Sequence, residues 1–133
     1  LGAEGARVRL CVGSYPAGRA VSHVTEHDKA LALVRCLRIL MESPAYPMLA
    51  THDPRIIELA QELARRNGRE PGSFEYQMFH GVRPLEQRRL ADIGQRCRTY
   101  IPFGPGWYGY LATRMAARPR ILFSYARALL DKR

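Results

Sequence analysis

Four short strand-like segments alternate along this chain with stretches that have a helical spacing of apolar residues. The strand-like segments are residues 6–12, 46–50, 74–79 and 98–101. Each intervening stretch is long enough for a helix, and strands joined through helices pair in parallel by right-handed crossovers. The chain is therefore predicted to be an α/β protein, built either as a piece of a β/α barrel or as a small open sheet.

Start and stop signals support the helical stretches. Pro44 ends the first of them, and Asp53 with Pro54 suits the N-cap and first position of the second. An Asn67-Gly68 pair is typical of a helix end. Helices are predicted over 28–43, from Pro54 to Asn67-Gly68, from 81–84 to Gly94, over 107–117 and over 121–130.

The length of 133 residues limits the architecture. A complete β/α barrel needs about 250 residues, so a barrel interpretation makes residues 1–133 a single segment of a larger domain. The chain begins with Leu1 rather than Met, which indicates a processed or cut N-terminus. Strand edges left open by a part-barrel recruit other chains, so we expect the segment to self-associate or to pair with the missing N-terminal half.

The formal net charge of +9 comes almost entirely from arginine. This excess raises the possibility of nucleic-acid binding, but the arginines occur as pairs on predicted outer helix faces and no nucleic-acid module is recognisable. We therefore expect a solvated basic surface and no nucleic-acid partner. No apolar run approaches the ~20 residues of a membrane span, and the first thirty residues carry charges where a signal peptide is apolar. The predicted location is the cytoplasm.

Candidate catalytic and metal-binding residues are few. Asp53 is expected to serve as a helix cap and Glu75 lies at the amino end of its strand, so no carboxylate pair is available for glycosidase-type catalysis. No serine lies in a nucleophile-elbow context. No metal site is expected, because metal-ligand spacing is absent from His23, His27, His52, His80, Cys11, Cys36 and Cys97.

Residues at the carboxyl ends of the predicted strands suit a large planar cofactor, since ligands of parallel α/β proteins bind there. A guanidinium such as that of Arg9 stabilises charge on a reduced flavin, and the amide of Gln77 can bond to the polar edge of a ring. Thr51 and His52 precede a helix N-terminus, which attracts phosphate. Taken singly, each has a simpler interpretation: an exposed strand arginine, a buried amide bonded to its neighbours, or a loop histidine bonded to backbone.

Longer motifs occur in an order that points to one family. They read R-L-C-V-G-S-Y, A-T-H-D-P-R-I-I, F-E-Y-Q-M-F-H-G-V-R-P-L-E-Q, R-T-Y-I-P-F-G-P-G-W-Y-G-Y-L and R-P-R-I-L. In this order the chain resembles the closing half of proline dehydrogenase, a flavoenzyme family that oxidises L-proline to 1-pyrroline-5-carboxylate with hydride transfer to FAD. The resemblance implies strands five to eight of a distorted TIM-type β/α barrel, with FAD across their carboxyl ends.

The resemblance also implies roles for individual residues. Those that match cofactor contacts of the family are Arg9, Gly13, Tyr15, Thr51, His52 and Gln77. Those that match the proline pocket are Phe79, Tyr100, Tyr110 and Arg114, the last being one of two adjacent arginines that clamp the substrate carboxylate. The implied partners are L-proline or a related cyclic amine and a quinone-type electron acceptor, the latter linking a cytoplasmic protein to the inner-membrane periphery.

Three positions depart from the family pattern. Val12 stands where the motif has lysine, Thr113 where it has the first of the two clamp arginines, and Ala117 where it has glutamate. Loss of one arm of a charged clamp weakens recognition of a carboxylate. The alternative is therefore a truncated or degenerate homologue without redox activity, and the sequence leaves open whether this chain is active alone.

Overall fold

The computed structural model describes residues 5–12, 18, 22–23, 25–110 and 112. Four strands alternate with three helices, and residues 107–110 are also helical. In chain order the elements are β1 (Arg7–Cys11), α1 (Glu26–Glu42), β2 (Tyr46–Ala50), α2 (Pro54–Arg66), β3 (Glu75–Phe79), α3 (Pro84–Asp92) and β4 (Arg96–Tyr100).

The local signals in the sequence located most of these elements. β2 has the predicted bounds, and Asp53 caps α2 by accepting the Arg55 backbone N–H at 3.0 Å. Helix α1 starts earlier than predicted because Thr25 is its cap, accepting the Asp28 N–H at 3.0 Å. The predicted helix over 107–117 is described only in its first turn and residue 112, and the helix predicted over 121–130 lies outside the described residues.

The fourth strand is displaced from its prediction. It runs from Arg96 to Tyr100, whereas the sequence favoured residues 98–101. Its composition is mostly polar, so a search for apolar runs detects only part of the strand. Its position is set by pairing with β3, in a register from Glu75↔Arg96 to Phe79↔Tyr100.

The strands form one parallel sheet in the order β1-β2-β3-β4. When each strand lies beside the one before it, right-handed crossovers bring all the helices to the same face of the sheet. The other face carries no helix among the described elements. We call this second surface the open face.

The hydrophobic core lies between the sheet and its helices. Tyr76 and Met78 of β3 and Leu49 of β2 point into it and are almost completely buried. Helices α1, α2 and α3 contribute the facing side chains Leu37, Met41, Ile57, Ala60, Leu63, Ala64 and Leu90. Burial of these apolar groups on one side fixes which strand residues must lie on the open face, since strand side chains alternate.

Arg69 closes the loop between α2 and β3 onto the end of α1. Its guanidinium donates to backbone carbonyls of Met41 at 2.8 Å and Ser73 at 3.2 Å. It also donates to the carbonyls of Leu40, Ser43 and Ala45, at 2.9, 2.5 and 3.2 Å. Two of these carbonyls, those of Leu40 and Met41, belong to the last turn of α1, where no further helical turn supplies N–H donors; the Leu40 carbonyl also accepts the Ser43 backbone N–H at 3.3 Å.

Arg69→Met should lower the free energy of unfolding by about 2–4 kcal/mol, because several part-buried carbonyls lose a charged donor while the apolar stem is retained. Urea unfolding monitored by circular dichroism measures the change. Arg66→Met is the matched control: Arg66 is exposed and pairs only with Glu62 among the described residues, so its loss should change stability by under about 1 kcal/mol. Equal effects of the two variants would contradict the carbonyl-clamp role.

Candidate functional site

The open face is rich in charge. The side chains that share it are Arg7, Arg9 and Cys11 of β1, Tyr46, Met48 and Ala50 of β2, Glu75, Gln77 and Phe79 of β3, and Arg96, Arg98 and Tyr100 of β4. Four arginines thus face one glutamate. The ionic groups lie toward the amino ends of the strands, and the aromatic groups lie at the carboxyl ends, which form the carboxyl edge of the sheet.

Glu75 is the centre of the ionic part. Among the described residues, Glu75 is the only charged residue that is buried, and its side chain has no exposed surface. Arg98 donates to both carboxylate oxygens, at 2.9 and 3.0 Å. The Tyr46 hydroxyl donates to it at 3.3 Å and Arg7 lies 3.6 Å away. Hydrogen bonding from Arg98 outweighs the opposing effect of burial and lowers the pKa of Glu75 to about 2.

Arg9 and Gln77 form the next level of the face. The Arg9 Nε–H donates to Gln77 Oε1 at 2.7 Å, and the Gln77 amide nitrogen donates to Glu75 at 2.8 Å. Both residues were predicted to contact a cofactor, and the fold brings them together from strands 68 residues apart in sequence. Gln77 is half-buried and Arg9 is exposed, so this pair is accessible from the open face.

Aromatic rings cover the carboxyl edge of the sheet. Phe79 is their centre: its ring stacks on His52 with centroids 5.5 Å apart, and meets Tyr100 edge-on at 5.4 Å. Tyr110 lies 6.5 Å from Phe79 and 6.3 Å from Tyr100. Three predicted pocket residues and one predicted cofactor contact therefore form one cluster, which we call the edge cluster (His52, Phe79, Tyr100 and Tyr110).

Backbone contacts hold His52 in a defined orientation. Its Nε2 accepts the Phe79 backbone N–H at 3.0 Å, so this nitrogen carries no proton. Arg83 donates to the His52 carbonyl at 2.9 Å. Arg83 adopts a left-handed conformation with φ 52°, which is strained for a residue with a side chain and is maintained here by that contact and the start of α3.

A second set of contacts supports Phe79. Gln87 of α3 donates to the carbonyls of Phe79 at 3.0 Å and Val82 at 2.8 Å. The Thr99 hydroxyl donates to Gln87 Oε1 at 3.0 Å. Phe79 is thus fixed through its backbone from two sides, which preorganises the edge cluster.

Thr51 lies between β2 and α2, beside the edge cluster in sequence. Its hydroxyl accepts the Asp53 N–H at 3.1 Å. Asp53 itself is held by Arg55, and this hydrogen-bonded pair keeps the pKa of the Asp53 carboxyl below its ordinary value. The N-terminus of α2 therefore already contacts an acidic side chain, and a cofactor phosphate there would have to share it.

Gly13, Tyr15 and Arg114, and the departures at Thr113 and Ala117, lie outside the described residues. The remaining predicted site residues fall into two groups, namely the Arg9–Gln77 pair and the edge cluster with Thr51 beside it.

The sequence interpretation set Glu75 aside because it lies at the amino end of its strand. The structure gives it the most contacts of any side chain on the open face, including both Arg98 and Gln77. The available signal was the polar period-two pattern of the strands, Arg7-x-Arg9, Glu75-x-Gln77 and Arg96-x-Arg98. Such a pattern, opposite a buried apolar set, indicates a polar face with ion pairs.

Neither a metal site nor a membrane span occurs in the described part of the chain. No group of three or more metal-ligating side chains comes together there. The longest helix, α1 with 17 residues, and its shorter companions do not meet the length and hydropathy that a span requires.

Comparison with known proteins identifies the family. A sequence profile described as proline dehydrogenase matches residues 24–115, which include both groups of site residues except Arg9. The chain belongs to the proline dehydrogenase family. The family predicted from the motifs is thereby confirmed.

Relatives and one solved structure agree. Proline dehydrogenase 1 of Bacillus subtilis subsp. natto is 32% identical over 125 residues, which are 94% of this chain and 41% of the relative. Proline dehydrogenase of Deinococcus radiodurans is 33% identical over 113 residues, 85% of this chain and 36% of the relative. The crystal structure of proline utilization A (PutA) from Bdellovibrio bacteriovorus, inactivated by N-propargylglycine, matches with a TM-score of 0.63 and 27% identity over 71% of this chain and 10% of that one.

The chain thus spans about two-fifths of the length of these curated relatives. Its α/β fold with a parallel sheet is consistent with the PutA match.

Acid should destabilise the protein through Glu75. Its pKa is about 2 in the folded protein against an ordinary 4.5, so the folded state favours the ionised form. The resulting stability is fully present above about pH 4.5 and is lost as pH falls toward about 2. Glu75→Gln should abolish this component, so its free energy of unfolding should fall less than that of the unmodified protein between about pH 5 and pH 2.5 in urea titrations.

Glu70→Gln, at an exposed position before β3, is the control and should keep the acid dependence of the unmodified protein. Parallel loss of stability with acid in the unmodified protein and the Glu75 variant would contradict the assignment.

Proposed function

We propose that this chain is the C-terminal half, strands five to eight, of a proline dehydrogenase barrel that oxidises L-proline to 1-pyrroline-5-carboxylate with hydride transfer to FAD. The observation that carries the proposal is the placement of Arg9 and Gln77 on the open face directly below the edge cluster. Cofactor-type and pocket-type residues of the family thereby occupy neighbouring levels of one sheet edge.

Strand order supports the barrel. A β/α barrel has eight parallel strands in sequential order with every helix outside. The four strands here are parallel and sequential, and a doubly wound open sheet would instead reverse its order at a switch point. The open face then corresponds to the barrel interior, and β1 and β4 are the edges at which the other strands would join. An interior position also accounts for a buried glutamate paired with arginines on a face without helices.

The side chains present fit FAD chemically. A flavin has a polar ring edge that needs hydrogen bonds and gains negative charge on reduction, and Gln77 and Arg9 supply an amide and a guanidinium. When bound, FAD accepts the hydride removed from the substrate. Arg9 would stabilise the charge that FAD gains on reduction, Gln77 would hold Arg9 in place, and Thr51 and His52 would contact the cofactor from the carboxyl edge of the sheet. Gly13 and Tyr15 complete the proposed contacts on the basis of their motif.

The edge cluster suits a small cyclic amine. Phe79, Tyr100 and Tyr110 offer apolar ring faces with two phenolic hydroxyls, and Tyr100 is 48% exposed, so the cluster is accessible. These walls would exclude water from the reacting C–H bond and orient the proline ring. Arg114 is proposed to bind the substrate carboxylate.

The reaction needs a second partner that removes electrons from the cofactor. We propose a quinone-type acceptor, which would bring a cytoplasmic protein to the periphery of the inner membrane. The other four strands are the further partner that the barrel requires, whether in the same polypeptide or in a second one.

The flavin assignment is tested by isolating the protein from its own host and recording its visible spectrum before and after anaerobic addition of L-proline. We expect oxidised-flavin absorbance that proline bleaches. Arg9→Met should lower the bleaching rate at least about tenfold, since one hydrogen bond from a charged group to developing charge is worth about 1.5–3 kcal/mol. Arg35→Met, on the exposed side of α1, is the matched control. A colourless protein with no FAD binding would refute the proposal.

Substitution of Thr113, which stands at the position of a clamp arginine, distinguishes an active enzyme from a degenerate one. Thr113→Arg restores the missing clamp arginine beside Arg114 and should lower the KM for L-proline about tenfold or more in steady-state assays. Thr113→Lys adds charge without the planar fork and should give a smaller gain. If neither variant changes proline turnover, the pocket has another substrate or the alternative holds, a homologue without redox activity, which Val12, Thr113 and Ala117 favour.

A further inference from the structure

We propose that Glu75 is a positioning residue: it orients the Gln77 amide, and the amide in turn holds the Arg9 guanidinium toward the carboxyl edge of the sheet. The inference rests on the proposed function only where it concerns a flavin. The hydrogen-bonded chain itself is a property of the open face.

Glu75 provides a fixed anchor for this chain of contacts. Its carboxylate has no exposed surface and is gripped on both oxygens by Arg98. Tyr46 adds a third donor and is itself held by Arg96, whose Nη1 donates to the hydroxyl at 3.1 Å. A carboxylate held by several donors has little rotational freedom, so its remaining acceptor direction is fixed.

That direction decides which way the Gln77 amide points. An ionised carboxylate only accepts hydrogen bonds, so the amide must present its nitrogen to Glu75, and does so at 2.8 Å. The amide oxygen is thereby turned away, and it accepts the Arg9 Nε–H at 2.7 Å. If the amide reversed, its nitrogen would face Arg9, and two donors would oppose each other. The charged partner also polarises the amide and strengthens its oxygen as an acceptor.

The strand register shows where this contact takes the guanidinium. The Arg9 backbone is level with Met48 and Glu75, whereas Gln77 is level with Cys11 and Ala50. Arg9 therefore reaches two residues along the sheet, about 6.6 Å, toward the carboxyl edge. Its Nη1 lies 3.9 Å from the Cys11 sulfur, which agrees with that direction. The Nη groups have no closer partner among the described residues.

The sign of the expected effect distinguishes positioning from simple electrostatics. Removal of the negative Glu75 charge alone would favour an anionic reduced flavin and raise its reduction potential. Release of Arg9 would remove a positive charge from the site and lower the potential. The proposal predicts the second outcome.

The test uses Glu75→Gln in the purified protein with two measurements. Hydrogen exchange of the Arg9 Nε–H, followed by NMR and assigned through its absence in Arg9→Lys, should become at least about tenfold faster. The protein's preference for reduced over oxidised flavin should weaken about tenfold. The reduction potential of the bound flavin should therefore fall by about 30 mV for a two-electron couple. In an Arg9→Lys background the same Glu75 substitution should produce no further fall.

Two variants serve as controls. Arg98→Met removes one of the groups that fix the Glu75 carboxylate but leaves Tyr46 and Gln77 bonded to it, so Arg9 exchange should speed up clearly less than in Glu75→Gln. If Glu75→Gln alone does not fold, the charge-balanced double variant Glu75→Gln/Arg98→Met carries the test against Arg98→Met. Glu62→Gln, in an exposed ion pair on α2, should alter neither measurement.

Unchanged Arg9 exchange, or a flavin potential that rises when Glu75 is neutralised, would overturn the proposal. A protein that binds no flavin would refute the proposed function instead, and the exchange measurement would still decide whether Glu75 positions Arg9.

Discussion

The Glu75 carboxylate is the interaction on which the open face depends. Four arginines extend from β1 and β4 onto this face, and the described part of it contains one acidic side chain to balance them. Removing a charge from water is costly unless it is paired and hydrogen-bonded, and Glu75 meets both conditions through Arg98, Tyr46 and Gln77. The same contacts bridge β2, β3 and β4. The charge that makes the face polar therefore also ties its strands together.

Two different physical regimes meet at the carboxyl end of the sheet. Below it, charged groups hold one another in fixed directions; above it, the edge cluster presents aromatic surfaces fixed through their backbones. The proposed hydride transfer between two organic rings would benefit from both, because apolar walls exclude water while a nearby cation stabilises developing charge. The family relationship and this layered arrangement support each other, since they rest on separate observations.

Much of the fold could be predicted from sequence because its signals are local. The start of α2 is encoded by the adjacent residues Asp53 and Pro54, and β2 is encoded by its own five-residue apolar run. β4 was displaced by two residues at its start, because a polar strand is positioned by pairing with its neighbour and not by its own composition. The contacts of Glu75 could not be predicted for a related reason: its main partner, Arg98, is 23 residues away, and strand register alone brings the two together. The aromatic and cofactor-type residues were predicted from motif order, which carries information that pairwise contacts do not, and their roles toward a ligand stay predictions.

The Arg69 clamp has a consequence for how the molecule opens. One side chain joins the loop before β3 to the last turn of α1 and to the residues that lead into β2. A fluctuation that frees that loop must break contacts in both successive βα units at once. Neighbouring units are therefore expected to exchange their amides as one cooperative block, and not as independent modules of a repeating sheet.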